Sequence, residues 1–422
     1  MKDTAKSRGR SQETTAQLTM AAMIDARATL HEAVVHAGMS ILEAMLEEDR
    51  AKLCGPRYVH DRRRYASRAG YTDGELALGG RRMTVRRPRA RSPMGEVALP
   101  TWEYFAGADP LTPRAVEQMV LGVSTRNYGR SLEAAPAGFA TRGASKSAVS
   151  RRFVASTQAT LTAMMGRDLS GLSLCALVID GIHVGEHLVV AALGIDESGD
   201  KHVLGLHEGA TENGSVCATL IGDLIARGVR SDRAMLFVID GSKALAAAIR
   251  RAFGKHAIIQ RCQVHKRRNV EDHLPDSMKA NVGRAMTTAY RSGNYERAKR
   301  MLNGLARQLD KKHPSAAASL REGLDETLTV MRFELPMWLE RTLSTTNTIE
   351  YVNGRIRKTT HNVTKWESGS MALRWVAISL IEAAKTFRKL RGYKGMPTLV
   401  AALRAHDQLI KPAAVDASKK AA

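Results

Sequence analysis

Between residues 171 and 262 the chain turns into five short, almost wholly apolar runs, and two of them stop at the same dipeptide. LSLCALVID (172–180) and AMLFVID (234–240) both run into Asp-Gly; HLVVAALGID (187–196), KHVLGLHEG (201–209) and HAIIQRC (256–262) are the others. Runs this short and this apolar read as strands covered on both faces. Short turns join the first three, which predicts three antiparallel strands. Asn213 to Gly228, with Val216, Leu220, Leu224 and Ile225 on one face, predicts a helix, and so does the segment carrying Leu245, Ile249 and Phe253. The order is then β-β-β-α-β-α-β.

That order is the one of a ribonuclease-H-like sheet, so the expected class is α/β. Around it the chain reads as helical. Apolar residues recur at helical spacing from about Leu18 to Leu53 (Leu30, Val34, Ile41, Leu42, Met45, Leu46) until Gly55-Pro56 ends the stretch. Residues 1–15 are polar and expected to be disordered. From Arg57 to Arg91 arginines far outnumber acids, and Leu76–Leu78 and Met83–Val85 flank Gly79-Gly80 as a small β-hairpin. A phosphate contact and a solvated basic surface are equally good readings of it. Residues 111–156 have a helix-turn-helix-like cadence: one helix from Thr112-Pro113, a second over Thr125–Ala134, and a third after Gly143 with Ser145 as N-cap. The joining loop, Ala135–Arg142, is long for that motif, and an ordinary helical hairpin fits as well. Residues 266–343 carry no strand signal and read as a helical insertion. The tail after Pro412 is expected to be disordered.

Composition narrows the partner. The 64 Lys and Arg exceed the 42 Asp and Glu, a net charge of +22, which points to a polyanion, with nucleic acid first. No apolar run is long enough to span a membrane, and nothing at the N-terminus resembles a secretory signal. The 4 Cys are expected to be reduced thiols in a cytoplasmic protein.

The two Asp-Gly ends carry the chemistry. An aspartate at the carboxyl end of a buried strand reaches a cleft at the sheet rim, and the glycine after it gives room to turn. One such pair is an ordinary turn. Two on neighbouring strands place Asp180 and Asp240 close together, where they repel unless a cation lies between them. A third carboxylate should come from a packed helix. Glu350, in STTNTIEYVNGRIRK (344–358), lies beside the stripe Ile349, Val352, Ile356, with Asn353 and Arg357 on its own side. Alone it is a first-turn glutamate suited to the helix dipole.

In sum, five segments resemble the Mutator-like DDE superfamily of bacterial insertion-sequence transposases: LVIDGIHVGEH (177–187), VIDGSKALAAAI (238–249), QRCQVHKRRNV (260–270), STTNTIEYVNGRIRK and MALRWVAISLIEAAKTFRKL (371–390). GVSTRNYGRSLE (122–133) and SKSAVSRRF (145–153) resemble that family's DNA-binding region. The resemblance runs from about residue 60 to 392. The departure of KTTHNVTKWESG (358–369) from the commonest subgroup leaves target preference untransferred.

The resemblance implies a ribonuclease-H-like DDE core of 171–265 and 344–405, interrupted by the insertion 266–343. A helical region 1–56, an arginine-rich hairpin region 57–110 and a DNA-binding region 111–170 precede it, and a tail 406–422 follows. It makes Asp180, Asp240 and Glu350 the triad for two Mg²⁺ or Mn²⁺ ions, with Cys262 and His265 as a Cys-x-x-His pair and Asn347 in support. No second Cys/His pair follows at zinc-finger spacing. DNA contacts are expected from Lys146, Arg151, Arg152, Lys266, Arg267, Arg268 and Arg357. Trp338 and Trp366 are expected to pack. The partners implied are double-stranded DNA at terminal inverted repeats, target DNA, and a second copy of the chain or more, in the cytoplasm with the nucleoid. The alternatives are a ribonuclease-H-like structure-specific nuclease and a DNA-binding protein without catalysis.

Overall fold

The computed structural model describes residues 30, 33–59, 63–78, 80–107, 111–132, 140–209 and 214–410. The expectations for residues 1–15, for the tail after Pro412, for Gly79 at the hairpin tip and for residues 135–139 of the long loop lie outside them. The chain divides into two units, Met1–Ser156 and Thr157–Ala422.

In the first unit, helix α1 (33–54) buries Val35, Met39 and Leu46. Three of the residues that predicted the helix, Val34, Ile41 and Met45, lie on its exposed side instead. Gly55 ends it at φ 75°, its N–H donating to Ala51 O. The hairpin is far longer than the apolar pieces suggested: β1 (Ser67–Leu78) pairs antiparallel with β2 (Arg81–Ser92). The arginines of β2 alternate with the buried Met83, Val85 and Ala90, which pack with α1. β3 (Gly95–Val97) and β4 (Thr141–Arg142) both pair with β2. Many of the arginines are spent inside the unit. Glu47 pairs with Arg50, Arg57 and Arg68, and Glu96 with Arg87 and Arg89. Helices α2 (Pro100–Gly107) and α3 (Leu111–Val120) follow, and α4 (Lys146–Met165) begins in this unit and ends in the second. The helix expected over Thr125–Ala134 is not formed among its described residues. Ser124 Oγ turns the chain by accepting from Asn127 N, and only a short 3₁₀ turn, Gly129–Ser131, follows. The buried Tyr128 donates its hydroxyl to Gly80 O at 3.2 Å.

The second unit is built on a five-stranded sheet of order β7-β6-β5-β8-β9: β5 (Leu174–Val184), β6 (His187–Asp196), β7 (Lys201–Gly209), β8 (Met235–Ile239) and β9 (Ala257–Arg261). The first three are antiparallel, and β8 and β9 run parallel to β5. Helices α5 (Gly214–Ala226) and α6 (Lys243–Phe253) are the crossovers. They cover the face bearing Leu177, Ile179, Phe237 and Ile239. The other face, with Val178, Ile182, Leu236 and Val238, is covered from later in the chain. With both faces dry, the strands have no polar side to show, which is why they read as continuous apolar runs.

After β9 come α7 (Gln263–Glu271), α8 (Asp276–Tyr290), α9 (Tyr295–Asp310), α10 (Pro314–Arg321) and α11 (Met337–Leu343). α7 to α10 share their own core of Val270, Met286, Leu302 and Leu320. α12 (Asn347–Thr360) and α13 (Gly369–Ala384) return to the sheet, and α14 (Met396–Ile410) closes it. Asp407 Oδ1 accepts from Ala234 N at 2.7 Å and from His256 Nδ1 at 2.8 Å. Asp407→Ala leaves that N–H at the mouth of β8 unpaired and should cost about 1–3 kcal/mol, read as a lower melting midpoint. No helix among the described residues is long and apolar enough to cross a membrane.

Candidate active site

The parallel pairing of β5 with β8 ends at Ile179 opposite Ile239. The next residues are Asp180 and Asp240, so register alone sets them side by side. Side chains alternate along a strand. Asp180 therefore shares a face with Val178 and Ile182, the face on which Ile349, Val352 and Ile356 of α12 pack. Glu350 rides on that helix.

Asp240 lies just past the end of β8, as its sequence suggested. Its Oδ1 accepts from Gly241 N at 2.6 Å and Ser242 N at 2.9 Å, and Ser242 caps α6. Asp180 does not end its strand. β5 continues to Val184, paired with β6 through Val184↔His187, after its parallel neighbour has stopped. The antiparallel hairpin outruns the parallel edge. Gly181 is accordingly a strand residue and makes no turn; a β-carbon there would stand 2.9 Å from Leu188 Cδ1.

Asp180 is only 6 % exposed. Burial, and next the charge of Asp240, push its carboxyl up to about 7, with Glu350 adding to the rise and His265 opposing it. Glu350 Oε1 is buried without a hydrogen bond, 3.7 Å from His265 Nε2 and 3.7 Å from Arg268 Nη1. His265 is raised to about 9, chiefly by its hydrogen bond with Cys262 and against its own burial. Burial raises the Cys262 thiol, but hydrogen bonds from His265 and Thr346 outweigh it, and the net direction is down. Thr346, buried at the start of α12, ties these groups: its N–H lies 3.4 Å from Cys262 Sγ, and its hydroxyl 3.4 Å from His265 Nδ1. Thr346 stands in the run Ser344-Thr345-Thr346-Asn347, and nothing in that run marks which side chain turns inward.

The structure thus brings Asp180, Asp240, Glu350, Cys262, His265 and Arg268 together. Asn347 is exposed at the first position of α12, and Arg357 is exposed further along it. Arg267 is partly exposed and lies 3.5 Å from Glu271. Lys266 departs from the expected DNA contact. It is 4 % exposed, donates to Ser319 O at 2.5 Å, and has its amine pushed down to about 8 by burial and then by Arg261. A lysine so placed cannot reach a DNA backbone. On α4, in the first unit, Lys146 and Arg151 are exposed, whereas Arg152 donates to Gly143 O at 2.6 Å. Trp366 packs against the core as expected, over Gly185. Trp338 does not: it is 44 % exposed, with the Arg391 guanidinium 3.7 Å from its ring centroid.

Among the described residues no three His, Cys, Asp or Glu side chains stand close enough to form a ready-made metal cluster. The donor set itself suits a hard divalent cation. It offers three carboxylates, one of them raised to about 7 by burial and by its neighbour Asp240, and one with a buried oxygen that no donor satisfies.

Comparison with known proteins adds kinship. A family model described as "Transposase, Mutator family" matches residues 10–389. The chain is 26% identical over 374 residues to the transposase for insertion sequence element ISRM5 of Rhizobium meliloti (strain 1021), covering 88% of this chain and 91% of that one. It is 29% identical over 291 residues to the transposase for IS6120 of Mycolicibacterium smegmatis, covering 67% and 86%. It is 25% identical over 335 residues to the transposase for IS256 in transposon Tn4001 of Staphylococcus aureus, covering 76% and 82%.

Proposed function

The chain belongs to the Mutator family of transposases, and from that premise we propose that it cleaves and joins DNA at the ends of an insertion sequence, with Asp180, Asp240 and Glu350 holding two Mg²⁺ or Mn²⁺ ions. The observation that carries this reading is the placement of three carboxylates by β5, the β8 turn and α12: the β5–β8 register sets Asp180 beside Asp240, and α12, which bears Glu350, packs on the face that Asp180 shares. The sheet order, with three antiparallel strands followed by two parallel ones, supports a ribonuclease-H-like core.

When bound, a pair of divalent ions supplies nucleophile activation and stabilisation of the leaving oxygen. The chain's own groups hold and orient. Asp240 commits Oδ1 to two backbone N–H groups, which leaves Oδ2 for a ligand. His265 and Arg268 flank Glu350 with positive charge, which suits a phosphate entering beside it. In the first step water adds to the phosphodiester at the element end and frees a 3′-hydroxyl. In the second, that hydroxyl attacks a phosphodiester of the other end or of target DNA and displaces its 3′-oxygen. Two ends must meet, so a homodimer or larger assembly on double-stranded DNA is part of the proposal, acting in the cytoplasm at the nucleoid.

The test is labelled element-end DNA incubated with the protein and Mg²⁺ or Mn²⁺. Nicked and joined products are expected. Nicking without joining would indicate a structure-specific nuclease, and binding without chemistry a DNA-binding protein. Salt titration tests the burial of Lys266: Arg268→Ala should reduce the slope of log affinity against log salt by about 1, and Lys266→Met should leave it unchanged.

A further inference from the structure

Arg261 ends β9 one residue before Cys262, and it is 6 % exposed. Burying a guanidinium is costly unless its partners are well placed. Here they come from two directions. Nη2 donates to Gly241 O at 2.5 Å. Nη1 donates to Glu322 O at 3.2 Å, and Nε lies 3.4 Å from Glu326 Oε2. Glu322 and Glu326 belong to the far end of the helical insertion. Gly323 between them, at φ 61°, has no space for a β-carbon because the Arg261 guanidinium occupies it. Lys243 and Arg250 of α6 reach the same two acids.

The peptide plane at Gly241–Ser242 gives this network its meaning. Its oxygen is the one Arg261 grips, and its N–H is one of the two that hold Asp240 Oδ1. A peptide is planar and rigid, so fixing one end fixes the other. The insertion, Arg261 and the Asp240 carboxylate form a single chain of contacts.

We propose that Arg261 is a positioning residue that couples the helical insertion to Asp240, by clamping the peptide that aims this carboxylate at a divalent cation. The inference rests on the reading of Asp240 as a metal ligand. Displacing the insertion's two glutamates would loosen the clamp, so the affinity of the site for the cation follows the placement of the insertion.

The experiment is a titration of the full chain with Mn²⁺ alone, following free Mn²⁺ by electron paramagnetic resonance, with melting in EDTA alongside. Wild type is compared with Asp240→Asn, Arg261→Lys and the milder Glu326→Gln. Arg261→Lys keeps the charge but cannot span both partners; it should weaken Mn²⁺ binding about 10-fold, the effect of losing an outer-shell partner. Glu326→Gln should shift it the same way by less, and the melting midpoint of Glu326→Gln should stay at the wild-type value. Unchanged Mn²⁺ affinity in both variants, with Asp240→Asn weakened, would overturn the coupling and leave the metal site standing. A melting loss in Arg261→Lys with Glu326→Gln binding Mn²⁺ normally would also overturn it, since the arginine would then serve stability only. Mn²⁺ binding indifferent to Asp240→Asn would remove the metal-ligand reading, and the coupling with it.

Discussion

Asp180→Asn, Asp240→Asn and Glu350→Gln should each lower metal-dependent cleavage and joining of element-end DNA by about 10³-fold or more, with binding of the same DNA retained. Stabilisation of transition-state charge by bound metal is worth several kcal/mol, and each 1.36 kcal/mol is a factor of ten. The amides preserve shape and remove the charge that holds the cation. The three should fail alike if, as proposed, their carboxylates act on one site: Asp180 and Asp240 follow the last parallel pair of β5 and β8, and Glu350 is carried by α12, which packs on the face that Asp180 shares. A variant retaining a tenth of wild-type joining would remove that residue from the triad. Loss of DNA binding in step with activity would instead point to a disturbed fold.

The parts of this site that could be read from sequence are those fixed by burial. Strands covered on both faces are largely apolar, so the five runs and their order are visible without coordinates. The parallel neighbourhood of β5 and β8 then places Asp180 beside Asp240. The stripe Ile349, Val352, Ile356 likewise orients α12, and all three residues are buried.

What was hidden depended on partners distant in sequence. Gly181 follows an aspartate and looks like a turn, yet Ile182 and Val184 continue β5 because β6 returns alongside. Only Met83–Val85 of β2 was legible as strand, because charged residues masked the rest of a strand whose inner face is Met83, Val85 and Ala90. In Lys266-Arg267-Arg268 three adjacent cations suggested one phosphate-binding patch, but a helix turns about 100° per residue and must point them apart. The signal was present: Cys262, Lys266, Val270 and Leu274 recur at intervals of four, and all are buried. Arg261 and Thr346 offered no such signal, since their partners lie at Gly241, Glu322 and Glu326, and at Cys262 and His265.

Without divalent ions, Asp180→Asn should make the protein more stable at pH 8 and leave it unchanged at pH 4. The sign follows from the raised carboxyl. Below about pH 4, Asp180 is protonated in both the folded and the unfolded chain and carries no penalty. As pH rises the unfolded chain releases its proton first, while the folded one keeps it to about 7. The stability associated with protonated Asp180 is therefore full below the ordinary value of 3.8 and is lost as pH climbs through 7. At about 1.4 kcal/mol per pH unit the penalty reaches roughly 4–5 kcal/mol above pH 7. Asparagine never ionises, so its advantage should grow across that window to a gain on the order of 10 °C in melting midpoint. Mg²⁺ should reverse the order at pH 8, stabilising wild type and leaving the asparagine variant where it was. Equal melting of the two proteins in EDTA at pH 8 would show that the buried carboxylate carries no penalty there. The expected outcome, a variant that gains stability and loses chemistry through one atom change, is what a residue held in place for function and against folding should give.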